Sequence, residues 1–201
     1  MFITFEGGEG SGKTTVIKKI LEKLLQEGYN CIQTREPGGS EIAESIRKIL
    51  LDNKNTNLTA HTESLLFAAS RAQHIDEVII PNLDKIILCD RYLDSSIAYQ
   101  AFGRDLGLDY VLKINDYALK YLPKLTFFLK LCPEAGSQRV AANRAHKQDR
   151  LDLETKEFHQ KVAQGYEYIA KSEPNRFVIV DATLSPDKIF DLIYTKIKEV
   201  I

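Results

Sequence analysis

Gly7-Gly8-Glu9-Gly10-Ser11-Gly12-Lys13-Thr14 matches G-x-x-x-x-G-K-[ST] in full, and it stands between an apolar run, Met1 to Phe5, and an amphipathic one. Glycines at these spacings let successive backbone N–H groups turn inward around phosphate oxygens, where side chains would obstruct the approach. Lys13 adds a point charge at the β- and γ-phosphates, and Thr14, followed by Thr15, offers a hydroxyl to Mg²⁺. A glycine-rich turn can also do no more than join a strand to a helix. The Lys-Thr pair and both flanks together favour a nucleoside triphosphate site.

Outward from this loop, apolar runs of strand length recur at Phe2 to Phe5, Cys31 to Thr34, Lys85 to Cys89, Leu125 to Leu131 and Phe177 to Val180. They are nearly continuous in Ile, Val, Leu and Phe, as expected of parallel strands covered on both faces. Between them the apolar period is helical: Val16, Ile17, Ile20, Leu21, Leu24 and Leu25 form one stripe, which Gly28 terminates. Ser185-Pro186-Asp187 reads as an N-cap with proline in the first turn, opening a last helix that buries Ile189, Leu192, Ile193, Ile197 and Val200. The expectation is one α/β domain over residues 1–201, a doubly wound, mainly parallel five-stranded sheet flanked by helices, of the P-loop NTPase type. A basic segment, about residues 139–151, interrupts it as a short lid. Ligands should gather at the carboxyl ends of the strands.

Bulk composition excludes several classes. The 201 residues are 44% hydrophobic and 27% charged, enough for a sizeable core and unlike a disordered chain. A net charge of −1 gives no global field toward nucleic acid or an anionic membrane. No apolar stretch approaches the roughly 20 residues of a membrane span. The N-terminus enters a strand without a signal pattern, and Cys31, Cys89 and Cys132 each adjoin an apolar run. Buried thiols in a reducing cytoplasm is the expectation.

The residues just after the strand runs are chemical in character. Arg35-Glu36-Pro37-Gly38-Gly39-Ser40 follows the second; Asp90-Arg91-Tyr92, then Ser95, Ser96, Tyr99 and Gln100, follows the third; Asp181 follows the fifth. Asp90 can hold hydrated Mg²⁺ or orient an attacking oxygen, and Arg91 can grip a phosphate with its planar fork. The pair can equally be a local ion pair at a strand end. Arg47, in the expected helix Glu41 to Leu51, is by pattern a solvated surface residue. Phe67 and Arg71 share a face of the expected helix Glu63 to Val78, where they could stack on and hydrogen-bond a planar base, or serve as a core ring beside a surface charge. Arg139, Arg144, His146, Lys147 and Arg150 form either a solvated face or a segment that folds over developing negative charge. Position 11 is Ser, so a transition-state cation must come from outside the phosphate loop.

Leu88-Cys89-Asp90-Arg91-Tyr92-Leu93-Asp94-Ser95-Ser96-Ile97-Ala98-Tyr99-Gln100 resembles the signature of the thymidylate kinases. The loop Phe5 to Thr15, with acidic Glu9, and the block Arg35-Glu36-Pro37-Gly38-Gly39 are similar to two further motifs of that family. The likeness runs from the first strand to the last helix. It implies ATP as donor, thymidine 5′-monophosphate (dTMP) as acceptor, and Mg²⁺. Carried over, it implies that Phe67 stacks on thymine, that Arg71, Ser96 and Gln100 meet its polar edge, and that Tyr99 crowds the 2′ position. Arg91, Arg35 and Arg47, near Pro37, would hold the acceptor phosphate, with Glu9 near the 3′-hydroxyl. Lys13 and Asp90 would serve the phosphoryl path, and Arg144 and Arg150, with Arg139 behind them, would be the lid arginines. The family is usually dimeric; Ile42, Ile46, Ile49 and Leu50 can supply such a face or an internal contact. A GTP-driven switch would need N/T-K-x-D and D-x-x-G motifs, and neither is present.

Overall fold

A computed structural model of the chain describes residues 1–142 and 148–201. Five strands form one wholly parallel sheet: β1 (Phe2–Glu6), β2 (Cys31–Arg35), β3 (Ile86–Asp90), β4 (Leu125–Lys130) and β5 (Phe177–Asp181), in the order β2-β3-β1-β4-β5. β1 is central, with Phe5 opposite Asp90 of β3 and Phe127 of β4. Side chains alternate along it. Phe2, Thr4 and Glu6 face one layer, Ile3 and Phe5 the other.

That alternation divides the core. One layer packs Ile3, Phe5, Leu88, Phe127 and Leu129 against helices α1 (Lys13–Gln26) and α8 (Pro186–Lys198). The other packs Phe2, Ile87, Cys89 and Phe128 against α2 (Glu41–Leu51), α3 (Ala60–His74), α4 (Leu93–Ser96), α5 (Leu108–Ile114) and α7 (Lys156–Ser172). The remaining helix, α6 (Pro133–Ala142), leads from β4 into the basic segment. No helix among the described residues is long and apolar enough to cross a membrane.

The helix signals act as their chemistry requires. Gly28, at φ 86°, closes α1 with Gly28 N–H on Leu25 O at 3.0 Å and Tyr29 N–H on Leu24 O at 3.1 Å, the paired bonds of a Schellman turn. Ser185 caps α8 by accepting Lys188 N–H at 3.4 Å. Three apolar expectations need correction. Leu192 is 54% exposed because the buried stripe of α8 narrows to Ile189, Ile193 and Ile197; Leu25 is likewise exposed, at the edge of the α1 stripe. Cys31 and Cys89 are buried, but Cys132 is exposed, immediately after the apolar run that contains β4 has ended at Leu131. The helix expected over Glu63 to Val78 instead begins at Ala60 and widens after His74 into a π-helical turn, Ile75–Ile79.

Candidate active site

The phosphate loop crosses the carboxyl end of β1. Gly12, at φ 90°, precedes α1 with no side-chain cap, so the first N–H groups of that helix stay available to an anion. Lys13 lies folded back into the loop, donating to Gly7 O and Gly8 O, both at 3.0 Å, and to Ser11 Oγ at 3.3 Å. Burial, and after it the nearby Arg91, draw its ammonium pKa downward. Carbonyls hold this charge where phosphate oxygens would. Gly10 is needed for close approach: a Cβ there would sit 2.5 Å from Gly136 O of α6, and one on Gly136 would sit 2.4 Å from Glu9 O. Helix α6 thus rests backbone to backbone on the phosphate loop.

Thr14 donates its hydroxyl to Asp90 Oδ2 at 2.8 Å, across the gap between α1 and β3. One hydroxyl and one carboxylate, beside a phosphate-binding loop, suit Mg²⁺, which keeps several waters and takes its other ligands from phosphates. No cluster of three or more His, Cys, Asp or Glu able to hold a metal occurs among the described residues.

Beside this loop lies a cleft of about 280 Å³ at the carboxyl ends of β1, β2 and β3. One wall is basic. Arg91 adopts φ 71° and reaches Glu9 through a short ion pair, Tyr166 OH at 3.0 Å and Ser95 Oγ at 3.3 Å, with its guanidinium over the Tyr99 ring at 5.1 Å. Arg47 donates to Pro37 O at 2.7 Å and Arg35 to Glu44 at 2.9 Å, and both line the cleft. Arg47 is therefore a cleft residue, not the solvated surface arginine its helical pattern suggests.

The same cleft is also lined by Phe67, 9% exposed, with Ser96, Tyr99 and Gln100. Ser96 Oγ is buried without a hydrogen-bond partner among the described residues, which leaves its hydroxyl able to pair with a ligand in the cleft. Gln100 gives its amide N–H to Glu63 at 3.0 Å. Tyr99 donates to Glu9 at 3.3 Å. Both residues ride on a π-helical turn, Ile97–Gly103.

Other expected residues are placed differently. Arg71 does not line the cleft. Its guanidinium is spent behind the wall on Glu36 (2.7 Å), Asn115 (2.6 Å) and Tyr92 O (3.1 Å). Glu36 also meets His74 Nδ1 at 2.9 Å, so this buried knot ties the Arg35–Gly39 segment to α3. Arg150 binds Leu50 O at 2.9 Å and Glu63 at 2.7 Å, where its charge is balanced by protein. Arg104 donates twice to the same carboxylate, at 3.1 and 2.9 Å. Burial is the largest single influence on the Glu63 pKa and pushes it up, but Arg104, Gln100 and Arg150 together outweigh it, and the net direction is down. Among the described residues of the basic segment, Arg139 reaches the loop, donating from Nη1 to Gly10 O at 3.3 Å. Arg144, His146 and Lys147 lie outside the described residues. Asp181 closes a turn by accepting from Thr183 N–H at 2.8 Å.

Sequence reading missed Glu6, Tyr166 and Asp149. Glu6 had a signal, being a carboxylate at the end of an apolar strand; Tyr166, in a regular amphipathic helix, had none. Asp149 lines the cleft, its pKa raised by burial and then by the like charge of Asp152.

Comparison with known proteins agrees with this geometry. The sequence model of the family described as Thymidylate kinase matches residues 5–193. The thymidylate kinase of Acholeplasma laidlawii (strain PG-8A) is 63% identical over 197 residues, spanning 98% of both chains. That of Bacillus pumilus (strain SAFR-032) is 46% identical, covering 100% of this chain and 96% of its own. The crystal structure of thymidylate kinase from Ehrlichia chaffeensis superposes with a TM-score of 0.74 at 33% identity, over 100% of this chain and 97% of that one. Phosphate loop, basic cleft wall and full-length likeness converge, and the chain belongs to the thymidylate kinase family.

Proposed function

We infer that the enzyme transfers the γ-phosphoryl group of ATP to dTMP, giving dTDP and ADP on the route to dTTP. The observation that carries this is the cleft itself, where a basic wall and an aromatic, polar wall face one space beside a complete phosphate loop. ATP takes the loop, with its β- and γ-phosphates displacing the carbonyl contacts of Lys13. In the cleft, Arg91, Arg47 and Arg35 hold the acceptor phosphate, and Phe67 stacks on thymine. Gln100, with its N–H committed to Glu63, has a carbonyl for the imide N–H of the base, and the unpartnered Ser96 hydroxyl has a proton for a base carbonyl. Tyr99 fills the space a 2′-hydroxyl would need, with Glu9 near the 3′-hydroxyl.

Mg²⁺, held through Thr14 and Asp90, would neutralise charge on the transferring phosphates. The protein's own contribution is positioning and charge: phosphoryl transfer leaves little covalent work to side chains. Arg139, already at Gly10 O, and Arg144 are the lid arginines in this reading. Arg150 instead fixes the cleft wall through Glu63. Residues 1–201 act as one kinase domain with a lid at about 139–151, and water exclusion under it prevents wasteful hydrolysis.

A second copy of the chain suits the outer face of α2, where Ile42 is 53% and Ile49 47% exposed while Leu50 turns into the core. The cytoplasm, where ATP and reduced thiols coexist, suits the buried free Cys31 and Cys89. The test is parallel phosphorylation of dTMP, dUMP, dGMP and thymidine with ATP and Mg²⁺. The preference for dTMP over dUMP rests on one methyl group and should amount to about 1–3 kcal/mol. Failure to phosphorylate dTMP, or binding of dTMP no tighter than dGMP, would overturn the reading.

A further inference from the structure

Arg91 is held in part by two hydroxyls, Ser95 Oγ and Tyr166 OH, each of which can turn either a lone pair or a proton toward it. Behind both stands Glu6, fully buried at the end of β1. Its Oε2 accepts Ser95 O–H at 2.6 Å and Tyr166 O–H at 2.9 Å, and its Oε1 accepts Tyr92 N–H at 2.7 Å. The two hydroxyl oxygens are themselves 2.9 Å apart. A carboxylate only accepts. Both hydroxyl protons are therefore drawn inward, and both oxygens present lone pairs to the guanidinium.

We propose that Glu6 is a positioning residue for acceptor binding: its carboxylate sets the polarity of a two-hydroxyl relay that aims Arg91 into the cleft. This rests on the reading of Arg91 as the holder of the dTMP phosphate. Glu6 itself touches neither substrate. It anchors the backbone just after Arg91, through Tyr92 N–H, and the two groups that grip the Arg91 side chain. β1, the segment between β3 and α4, and α7 are thereby joined at one carboxylate.

The charges around it come from every neighbouring element. Arg91, Tyr92 and Asp94 face it from the segment after β3, Tyr166 from α7, Lys13 from the phosphate loop side and Cys89 from β3. Arg176, ahead of β5, acts on it while paired to Asp94 at 2.6 Å. Burial and then Asp94 raise the Glu6 pKa to about 7, against the opposing pull of Ser95 and Arg91. Protonation removes the negative charge behind Arg91. The added proton either opposes Tyr92 N–H or consumes a hydroxyl lone pair.

Glu6→Gln imposes this defect permanently and without change of shape. Its amide must set a donor against either Tyr92 N–H or the two hydroxyls. The test is steady-state kinetics on the full enzyme, from pH 6 to 8.5, for the wild type, Glu6→Gln, Tyr166→Phe and Arg91→Lys. At pH 8, KM for dTMP should rise about tenfold in Glu6→Gln, the scale of losing one charge-assisted bond, with KM for ATP unchanged. Tyr166→Phe, which keeps Ser95, should show about a threefold rise. As pH falls through 7, the wild type should approach Glu6→Gln; ionisation of dTMP itself cancels in their ratio. An unchanged KM for dTMP in folded Glu6→Gln, or a ratio that does not move with pH, overturns the relay. If Glu6→Gln does not fold, the Ser95→Ala, Tyr166→Phe double variant must reproduce the rise, and its absence overturns the relay equally. Arg91→Lys separates the layers. An unchanged KM for dTMP there removes the reading of Arg91 and the relay with it, whereas a raised one beside a normal Glu6→Gln removes the relay alone.

Discussion

Replacing Glu63 by Ala should destabilise the enzyme more than loss of an ordinary surface carboxylate. Glu63 is fully buried and receives N–H groups from Gln100, Arg104 and Arg150. Removing one partner of a buried ion pair costs about 3–5 kcal/mol, because the remaining charge is left uncompensated. Here two guanidiniums are left, but Glu154 remains 2.5 Å from Arg104 and 4.0 Å from Arg150 and screens part of the loss. The lower bound, about 3 kcal/mol, is the reasonable figure. For a domain of 150–250 residues each kcal/mol moves Tm by about 2–4 °C, so the expected fall is about 6–12 °C. The pH dependence has a definite sign. A carboxylate with a depressed folded pKa contributes stability that is present above its unfolded value near 4.5 and is lost as pH falls through the lower folded one. The gap between wild type and Glu63→Ala should therefore close in acid. Differential scanning calorimetry at pH 7.5, and then at successively lower pH below 4.5, reads both effects. A Tm within about 2 °C of wild type at pH 7.5 would refute the argument, since it would mean the arginines find equivalent partners in solvent.

Three further outcomes can be checked directly. Lys13→Ala should abolish nearly all turnover while circular dichroism and Tm stay close to wild type, because the charge it removes is held by loop carbonyls and serves only phosphate. Phe67→Ala should weaken dTMP binding by about 2 kcal/mol, roughly 30-fold by calorimetric titration, with ATP binding unchanged; equal loss for both nucleotides would return Phe67 to a purely structural role. Gly136→Ala places a methyl 2.4 Å from Glu9 O and must displace α6 from the phosphate loop, so kcat should fall by about tenfold or more in a folded protein.

The strands were legible to within about one residue at most ends because parallel strands buried on both faces are nearly continuous apolar runs. Caps were equally plain: Gly28 and Ser185 act through local chemistry that does not depend on the rest of the chain. Where local periodicity had to decide between core and surface, it was less reliable. Leu192 lies beside a stripe that only three isoleucines share, and Arg47 looked solvated because its helix could not reveal the cleft beneath it. Arg71 and Arg150 are basic residues whose partners, Glu36 and Glu63, come from remote segments, so their sequence surroundings gave no sign that their charges were already matched. Glu6 and Tyr166 are separated by 160 positions and meet only because β1 lies at the centre of the sheet beneath α7. Local chemistry is readable along the chain; pairing across the sheet is not.

The left-handed backbone of Arg91 is a local strain with a local compensation. A side chain at φ 71° carries about 1–2 kcal/mol that glycine would not. Glycine would relieve that torsion, but it would also remove the ion pair to Glu9, the bonds to Ser95 and Tyr166 and the guanidinium stacked over Tyr99, contacts that together outweigh the gain. The strained torsion is thus sustained by the side chain it carries, because the groups around the guanidinium over-determine its position.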